Sequence, residues 1–275
     1  MSRVDLHLHS LASDGTTPPA VVARAVAAAG LSGFSLTDHD TVAGLDEAAE
    51  EAERLGLAFL PGAELSANEP GRSVHVLGYG FDPSHPKLRA FFATFRSDRM
   101  GRAEAMTERL RGLGVPLEMD AVMREAVGGV PTRAHLARAL VREGLAGGVE
   151  EVFRRWLARG RPAFVEKRPS PPAEAFALLH EAGGVAVLAH PGREFGEADI
   201  RRWVADGLDG VEVLHPANPP AVRARLGRLV REAGLLATGG SDWHGPDTGR
   251  AEPGSERVPA AWMQRLRERV ATRSD

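Results

Sequence analysis

Seven short β-like runs, six with a histidine or a carboxylate at or near the end and one with a histidine inside it, are what most restricts the fold of this 275-residue chain. They are SRVDLHL, GFSLTDH, LAFLPGAEL, SVHVLGYGF, GGVAVLAH, DGVEVLH and GLLATGGSD. Ala-, Leu- and Arg-rich stretches of helical periodicity lie near 17–30, 44–55, 173–182, 197–206 and 219–233, with a last one near 259–272. Strands that alternate with short helices pack as parallel β/α units. About seven such strands, without a Gly-rich dinucleotide fingerprint, predict an α/β barrel rather than an open sheet.

One segment breaks the rhythm. Residues 83–168 read as consecutive helices: HPKLRAFFATFRSDRMGRAEAMTERLRGLG, MDAVMREA, TRAHLARALVREG and VEEVFRRWLARG. The Pro-rich SPP marks the return to the α/β pattern. The expected organisation is a barrel from 1–82 and 169–275, with 83–168 as a helical, basic, substrate-binding insertion. Charge follows the same division. Residues 87–168 hold 17 basic and 10 acidic side chains, whereas the rest holds 17 basic and 27 acidic. An acidic body with a basic insert suits cation binding in the one and an anionic partner in the other.

With no cysteine in the chain, thiolate metal sites are excluded, and any ion must be held by His, Asp and Glu. No apolar run approaches the ~20 residues of a spanning helix, and the N-terminus enters the polar VDLHLHS directly. The expectation is a cytoplasmic protein without membrane association. Neither heptads nor an apolar stripe point to a stable protein partner.

The polar strand-end residues then form one list. His7 and His9 close the first run, with Asp14 in the following loop. Asp38, His39 and Asp40 close the second, Glu64 closes the third, and His75 lies in the fourth. His190 closes the fifth, Glu212 and His215 the sixth, and Asp242 and His244 the seventh. In parallel barrels the C-terminal strand ends converge on one mouth. A period of two puts both rings of HxH on one face, and Asp5, one step deeper, can accept an N–H from a ligating His and orient it. Imidazole and carboxylate without sulfur suit Mn²⁺, Zn²⁺, Fe²⁺ or Mg²⁺. The number of ligands exceeds the need of one ion, so the centre is expected to hold two or three. His85, His135 and His180 lie in turns or helices and read as structural.

HxH with a following Asp, then TDHD, a Glu after the third strand, a His in the fourth, AHP and SDxH resemble the polymerase and histidinol phosphatase (PHP) superfamily. The resemblance implies a phosphoesterase on a distorted (β/α)₇ barrel. It further implies His7, His9, Glu64 and Asp242 as ligands of one metal, with Glu64 bridging to a second held by His75 and His190. Asp14, His39 and His244 would hold a third. Mn²⁺ is the expected ion, with Fe²⁺ or Zn²⁺ as alternatives. Within the superfamily, GVPTRAHLARALV, RGRPAFVEK and LHP resemble the branch containing RNase AM and the 3′,5′-nucleotide bisphosphate phosphatases. That branch implies removal of a terminal phosphate from a nucleoside bisphosphate, or 5′-to-3′ action on short RNA, with a nucleotide or short oligonucleotide as substrate. Arg133 and Lys167 in the basic insert, and His215 at the rim, are the candidate phosphate contacts. His215 or Asp40 is the candidate proton donor to the leaving hydroxyl. Two other readings stay open: a small-metabolite phosphatase such as histidinol phosphatase, and a metal-stabilised nucleic-acid-binding module without catalysis.

Overall fold

The computed structural model describes residues 2–126, 130–192, 194–246 and 248–274. Gly129, which opens the GVPTRAH motif, lies outside them. The chain divides into two compact units, Met1–Arg89 with Pro169–Asp275, and Ala90–Arg168. The division falls inside a helix rather than at the sequence's change of rhythm near residue 83.

In the first unit, short strands alternate with helices. They are β1 (Arg3–Asp5), α1 (Pro19–Ala28), β2 (Gly33–Phe34), α2 (Leu45–Arg54), β3 (Ala58–Phe59), β4 (Gly62–Glu69) and β5 (Arg72–Tyr79). Helix α3 (Pro86–Gly112) leads into the second unit, which continues with α4 (Met119–Ala126), α5 (Arg133–Arg142) and α6 (Val149–Val152), closed by a π-helical turn at Phe153–Leu157. The first unit resumes with α7 (Pro172–Glu181), β6 (Val185–Leu188), α8 (Glu197–Ala205), β7 (Gly210–Leu214), α9 (Pro220–Ala233), β8 (Leu236–Gly239), β9 (Val258–Pro259) and α10 (Ala260–Ser274). The helices α1, α7 and α9 each begin at a proline, whose missing N–H costs nothing in a first turn.

Two sheets carry these strands, ordered β3-β2-β1-β9 and β4-β5-β6-β7-β8. The wholly parallel arrangement expected from the sequence is corrected at three places. LAFLPGAEL divides into β3 and β4 at Pro61, because proline cannot donate to a ladder. Strand β5 runs antiparallel to both β4 and β6. Strand β9 adds an antiparallel partner to β1. The long hairpin β4–β5 follows from EPGR, whose Gly71 takes φ 86° and closes a tight turn. Single parallel bridges connect the two sheets, Leu8 to Trp243 just beyond β1 and β8, and His39, just beyond β2, to Glu64 within β4.

The apolar residues of these strands and of α10 make the unit's core: Val4, Leu6, Leu77, Val185, Val187, Leu236, Met263 and Leu266 are buried together. Tyr79 is fully buried and spends its hydroxyl on the Leu6 carbonyl, at 2.9 Å. The helical unit has its own core, in which Leu110, Leu117, Val122, Leu136, Leu140, Val152 and Leu157 pack together. No helix among the described residues is long and apolar enough to cross a membrane.

Candidate metal centre

Leu6 and Leu8 point into the core, so the alternation of a strand sends His7 and His9 to the opposite face. Both rings are fully buried. His7 Nε2 lies 3.1 Å from His9 Nε2 and 3.0 Å from Glu64 Oε2. Asp242 Oδ1 completes the group, 3.4 Å from His7 Nε2 and 3.2 Å from His9 Nε2. Two ring nitrogens this close repel unless a proton or cation lies between them. Four ligand atoms around an ion at ~2.0–2.1 Å stand ~3.3 Å apart in a tetrahedron, which is the spacing found here. The donor set therefore fits a metal ion.

The other ligand candidates surround this group. His75 Nδ1 and His190 Nε2 approach the second oxygen of Glu64, at 2.7 and 3.0 Å. Asp14 Oδ1 lies 3.3 Å from His244 Nε2 and 3.7 Å from His9 Nδ1, and Asp14 Oδ2 lies 3.9 Å from His39 Nε2. Among the described residues, metal-sized groups of donors form from His9, Asp14, His39 and His244, from His7, His9, Glu64 and Asp242, and from His39, Glu64 and His75. All nine candidate ligands thus come together, with Glu64 in the middle. Buried ring nitrogens of His9 and His39 have no hydrogen-bond partner, which ligation would supply.

Hydrogen bonds fix which nitrogen each ring offers. His7 Nδ1 lies 3.0 Å from Glu212 Oε1, a donor position that leaves Nε2 with its lone pair. His244 Nδ1 donates to the Asp242 carbonyl at 2.8 Å, so its Nε2 also faces the site as an acceptor. His215 is the reverse. Its Nδ1 accepts the Ala217 N–H at 2.9 Å, so a neutral ring carries its proton on Nε2, 3.4 Å from Asp242 Oδ2. A proton held there makes it a donor rather than a ligand, although with His7 and Glu212 it forms a further metal-sized group.

Electrostatics follow the crowding. Burial opposes charge on His7, but the carboxylates of Glu212, Glu64 and Asp242 raise its pKa well above the usual imidazole value. In His9 burial is again overcome, by hydrogen bonds to Asp242 and Glu64, and the pKa is carried to about 10. His39 goes the other way, to about 3: burial dominates, and the neighbouring His9 and His75 add to it. Glu64, Asp14 and Asp242 are held well below the carboxylate range despite burial, by the surrounding imidazoles. The site is a buried pool of anionic oxygen, the counterpart of divalent cations.

Supporting residues divide into those foreseen and those missed. Asp5 does accept an N–H from His7, but the backbone one, at 3.3 Å. It also takes the N–H groups of Ser241 and Gly254, fastening three segments rather than orienting a ring. Glu212 orients His7 instead. Asp40 accepts the Ser66 N–H at 2.7 Å, which ties its carboxylate to β4. Asp38 gathers Ser10 and Ser13 at 2.6–2.7 Å and so shapes the loop that carries Asp14. Arg250, which the strand-end pattern passes over because it lies in a loop, donates to Asp242 Oδ2 at 2.5 Å. Asp40, His190 and Asp242 have positive φ, at 51°, 24° and 55°, and no other non-glycine among the described residues does. Such backbone costs of order 1–3 kcal/mol each and is characteristic of functional sites. Gly240 is required for close approach, because a Cβ there would sit 2.4 Å from His7 Cβ.

Arg133 and Lys167 belong to the helical unit. The Arg133 guanidinium lies over the rings of Phe153 and Phe164 and donates to the Leu157 carbonyl. His135 serves structure: it makes a reciprocal capping pair with Thr132 at the start of α5. His180 pairs with Asp209 at 2.8 Å.

Imidazoles and carboxylates gathered around Glu64 make a donor set for divalent ions. The PHP domain model matches residues 5–110. Across 250 residues the chain is 39% identical to the 5′-3′ exoribonuclease Rnm of Escherichia coli, covering 88% of this chain and 85% of that one. Over 270 residues it is 36% identical to the 3′,5′-nucleoside bisphosphate phosphatase of Chromobacterium violaceum, covering 94% and 93%. A crystal structure from Bifidobacterium adolescentis, assigned to the metal-dependent phosphoesterases, superposes with a TM-score of 0.89 at 34% identity, covering 98% of this chain and 96% of that one. The chain belongs to the PHP-domain family of phosphoesterases.

Proposed function

We propose that this protein removes a terminal phosphate from 3′,5′-bisphosphorylated nucleotides, or acts 5′-to-3′ on short 5′-phosphorylated RNA. The observation that carries the reading is the convergence of nine imidazole and carboxylate groups, with Glu64 among them. The substrate class is supported by the two relatives whose names specify a 5′-3′ exoribonuclease and a bisphosphate phosphatase. His7, His9, Glu64 and Asp242 hold one ion; Glu64, His75 and His190 hold a second; Asp14, His39 and His244 hold a third. Mn²⁺ fits the mixed N/O set, as do Fe²⁺ and Zn²⁺. The bridges Leu8–Trp243 and His39–Glu64 support reading the two sheets as halves of a distorted (β/α)₇ barrel.

Bound divalent ions supply a Lewis acid for the phosphoryl oxygens and lower the pKa of water toward neutrality. The chain supplies the rest. Glu212, through Nδ1 of His7, keeps the His7 lone pair aimed inward. His215, with its proton on Nε2, donates to the departing oxygen or binds a phosphate oxygen. It is the better donor of the two candidates, since one Asp40 oxygen is taken by Ser66. Arg133 and Lys167 bind substrate phosphate in the helical unit.

Phosphate release from a panel tests the reading. Adenosine 3′,5′-bisphosphate and short 5′-phosphorylated RNA should be hydrolysed by the Mn²⁺-loaded chain, and histidinol phosphate poorly. Preferential turnover of histidinol phosphate would overturn the substrate class. Absence of any metal-dependent release would overturn the reading itself.

A further inference from the structure

We propose that Asn218 is a positioning residue of the reaction: one buried side-chain amide sets the turns that present His190 and His215. Asn218 is 1% exposed, and both ends of its amide are used. Its Nδ2 donates to the carbonyls of Glu212 and Val213, at 3.0 and 3.2 Å. Its Oδ1 accepts the Gly192 N–H at 2.9 Å. A side chain that must accept one N–H and donate to two carbonyls is an amide, since a carboxylate brings no donor and a hydroxyl brings one. Exchanging its oxygen and nitrogen would set donor against donor at Gly192, so the network admits one orientation.

Each of these contacts falls where a working side chain leaves the backbone. Gly192 follows His190 by two residues, across a proline that has no N–H, and the two take φ of 55° and 24°. That strained turn is held from the β7 side: Glu212 Oε2 accepts the His190 N–H at 2.7 Å, and Asn218 accepts that of Gly192. Within β7, the register with β8 shifts between Glu212 and Leu214. Such bulges re-aim side chains beside active sites, and Asn218 takes up the two carbonyls at this one. The bulge stands between Glu212, which faces His7, and His215. The turn from His215 to Asn218 closes on itself, with the Asn218 N–H on the His215 carbonyl and the Ala217 N–H on His215 Nδ1, both at 2.9 Å. Arg223, near the start of α9, donates to the carbonyls of His215 and Asn218 at 2.9 and 2.7 Å and grips Glu256 with a bidentate pair at 2.7–2.8 Å. The proton on His215 Nε2 is thus fixed by a turn, and the turn by Asn218 and Arg223. The effect on turnover rests on the role of His215 as proton donor proposed above, whereas the positioning rests on the hydrogen bonds alone.

Imidazole nitrogen NMR of the Zn²⁺-loaded full chain reads the His215 tautomer directly. Wild type should show one form, protonated on Nε2, and Asn218→Ala a mixture of two. Asn218→Asp keeps the Gly192 contact but has no donor for Glu212 and Val213, and should move the same way. In turnover, the ratio of kcat for adenosine 3′,5′-bisphosphate over that for p-nitrophenyl phosphate should fall about 10–100-fold in Asn218→Ala, with KM nearly unchanged. Arg223→Lys keeps the charge opposite Glu256 but not the planar fork; it should shift tautomer and ratio in the same direction by less, and decides the matter if neither Asn218 variant folds. A purely structural Asn218 would lower the melting point and leave both readouts alone. An unchanged His215 tautomer in the folded variants overturns the proposal, and an unchanged ratio overturns its consequence for the reaction. His215→Asn separates the two readings. If that variant leaves the ratio at its wild-type value, the donor role falls while the tautomer still decides the role of Asn218. If it lowers the ratio while the Asn218 and Arg223 variants change nothing, the donor stands and the positioning falls.

Discussion

The two units place charge in opposite ways. In the first, anionic oxygen is buried: Glu64, Glu212 and Asp242 lie at or near zero exposure and are held ionised by imidazoles. In the second, charge is cationic and mostly at the surface, where arginines make ordinary pairs with glutamates. Arg102 and Arg133 are partly buried, and each gives a nitrogen to a backbone carbonyl. Burying charge requires compensation, which divalent cations would supply in the first unit.

Substitutions can break this contrast. The largest effect should come from His9→Ala and Asp242→Asn, which remove ligands outright. Metal content, read by elemental analysis, should fall by more than the ~100-fold that an orienting partner is worth, and phosphate release should disappear with it. Retention of wild-type metal and turnover by His9→Ala would dissolve the assigned centre. Next, His215→Asn should keep its metal but lose roughly 10²–10⁴-fold in kcat on a nucleotide. The loss should be far smaller on p-nitrophenyl phosphate, whose leaving group needs no proton. Equal losses on both would remove His215 as the donor.

Within the helical unit, Leu136→Ala should cost about 2–5 kcal/mol of stability by opening a cavity in its core, measured by denaturant unfolding. Metal stoichiometry should hold, since no candidate ligand lies in that unit. Glu212→Gln should lower metal affinity by about 10–100-fold while every ligand remains; an unchanged affinity would mean that Nδ1 of His7 needs no anionic partner.

The smallest effect concerns pH. Asp209 is nearly buried, and although burial raises its pKa, His180, the Ala186 N–H and Arg273 bring it below the normal carboxylate value. A depressed carboxylate stabilises the fold fully above its unfolded pKa and loses that contribution as pH falls through the folded one. Asp209→Asn should therefore destabilise by roughly 1–3 kcal/mol at pH 7, with the gap closing as the solution is acidified through that range. A gap independent of pH would show that Asp209 acts by shape rather than by charge.

Local sequence patterns determined much of this protein. Strand-end histidines and carboxylates put all nine candidate ligands on one list together with Asp38, Asp40, Glu212 and His215, and the resemblance to the PHP superfamily singled out the nine. The helix at 119–126 was legible to the residue, since MDAVMREA has an acidic first turn and a consistent apolar face. Tertiary structure alone decided the rest. Strand β5 is antiparallel because Gly71 folds it back on β4, a pairing that depends on its partner rather than on its own residues. Which nitrogen each imidazole offers depends on Glu212, Ala217 and Asp242, brought close only by folding. The sequence reads Asp5 as a support for a ligating His and Asp40 as a proton donor; that both accept backbone N–H groups from other segments is visible only in the fold. That Arg133 rests on the ring of Phe164, 31 positions away in sequence, follows from how the helical unit packs. Periodicity records which face a side chain takes; only packing determines what it meets there.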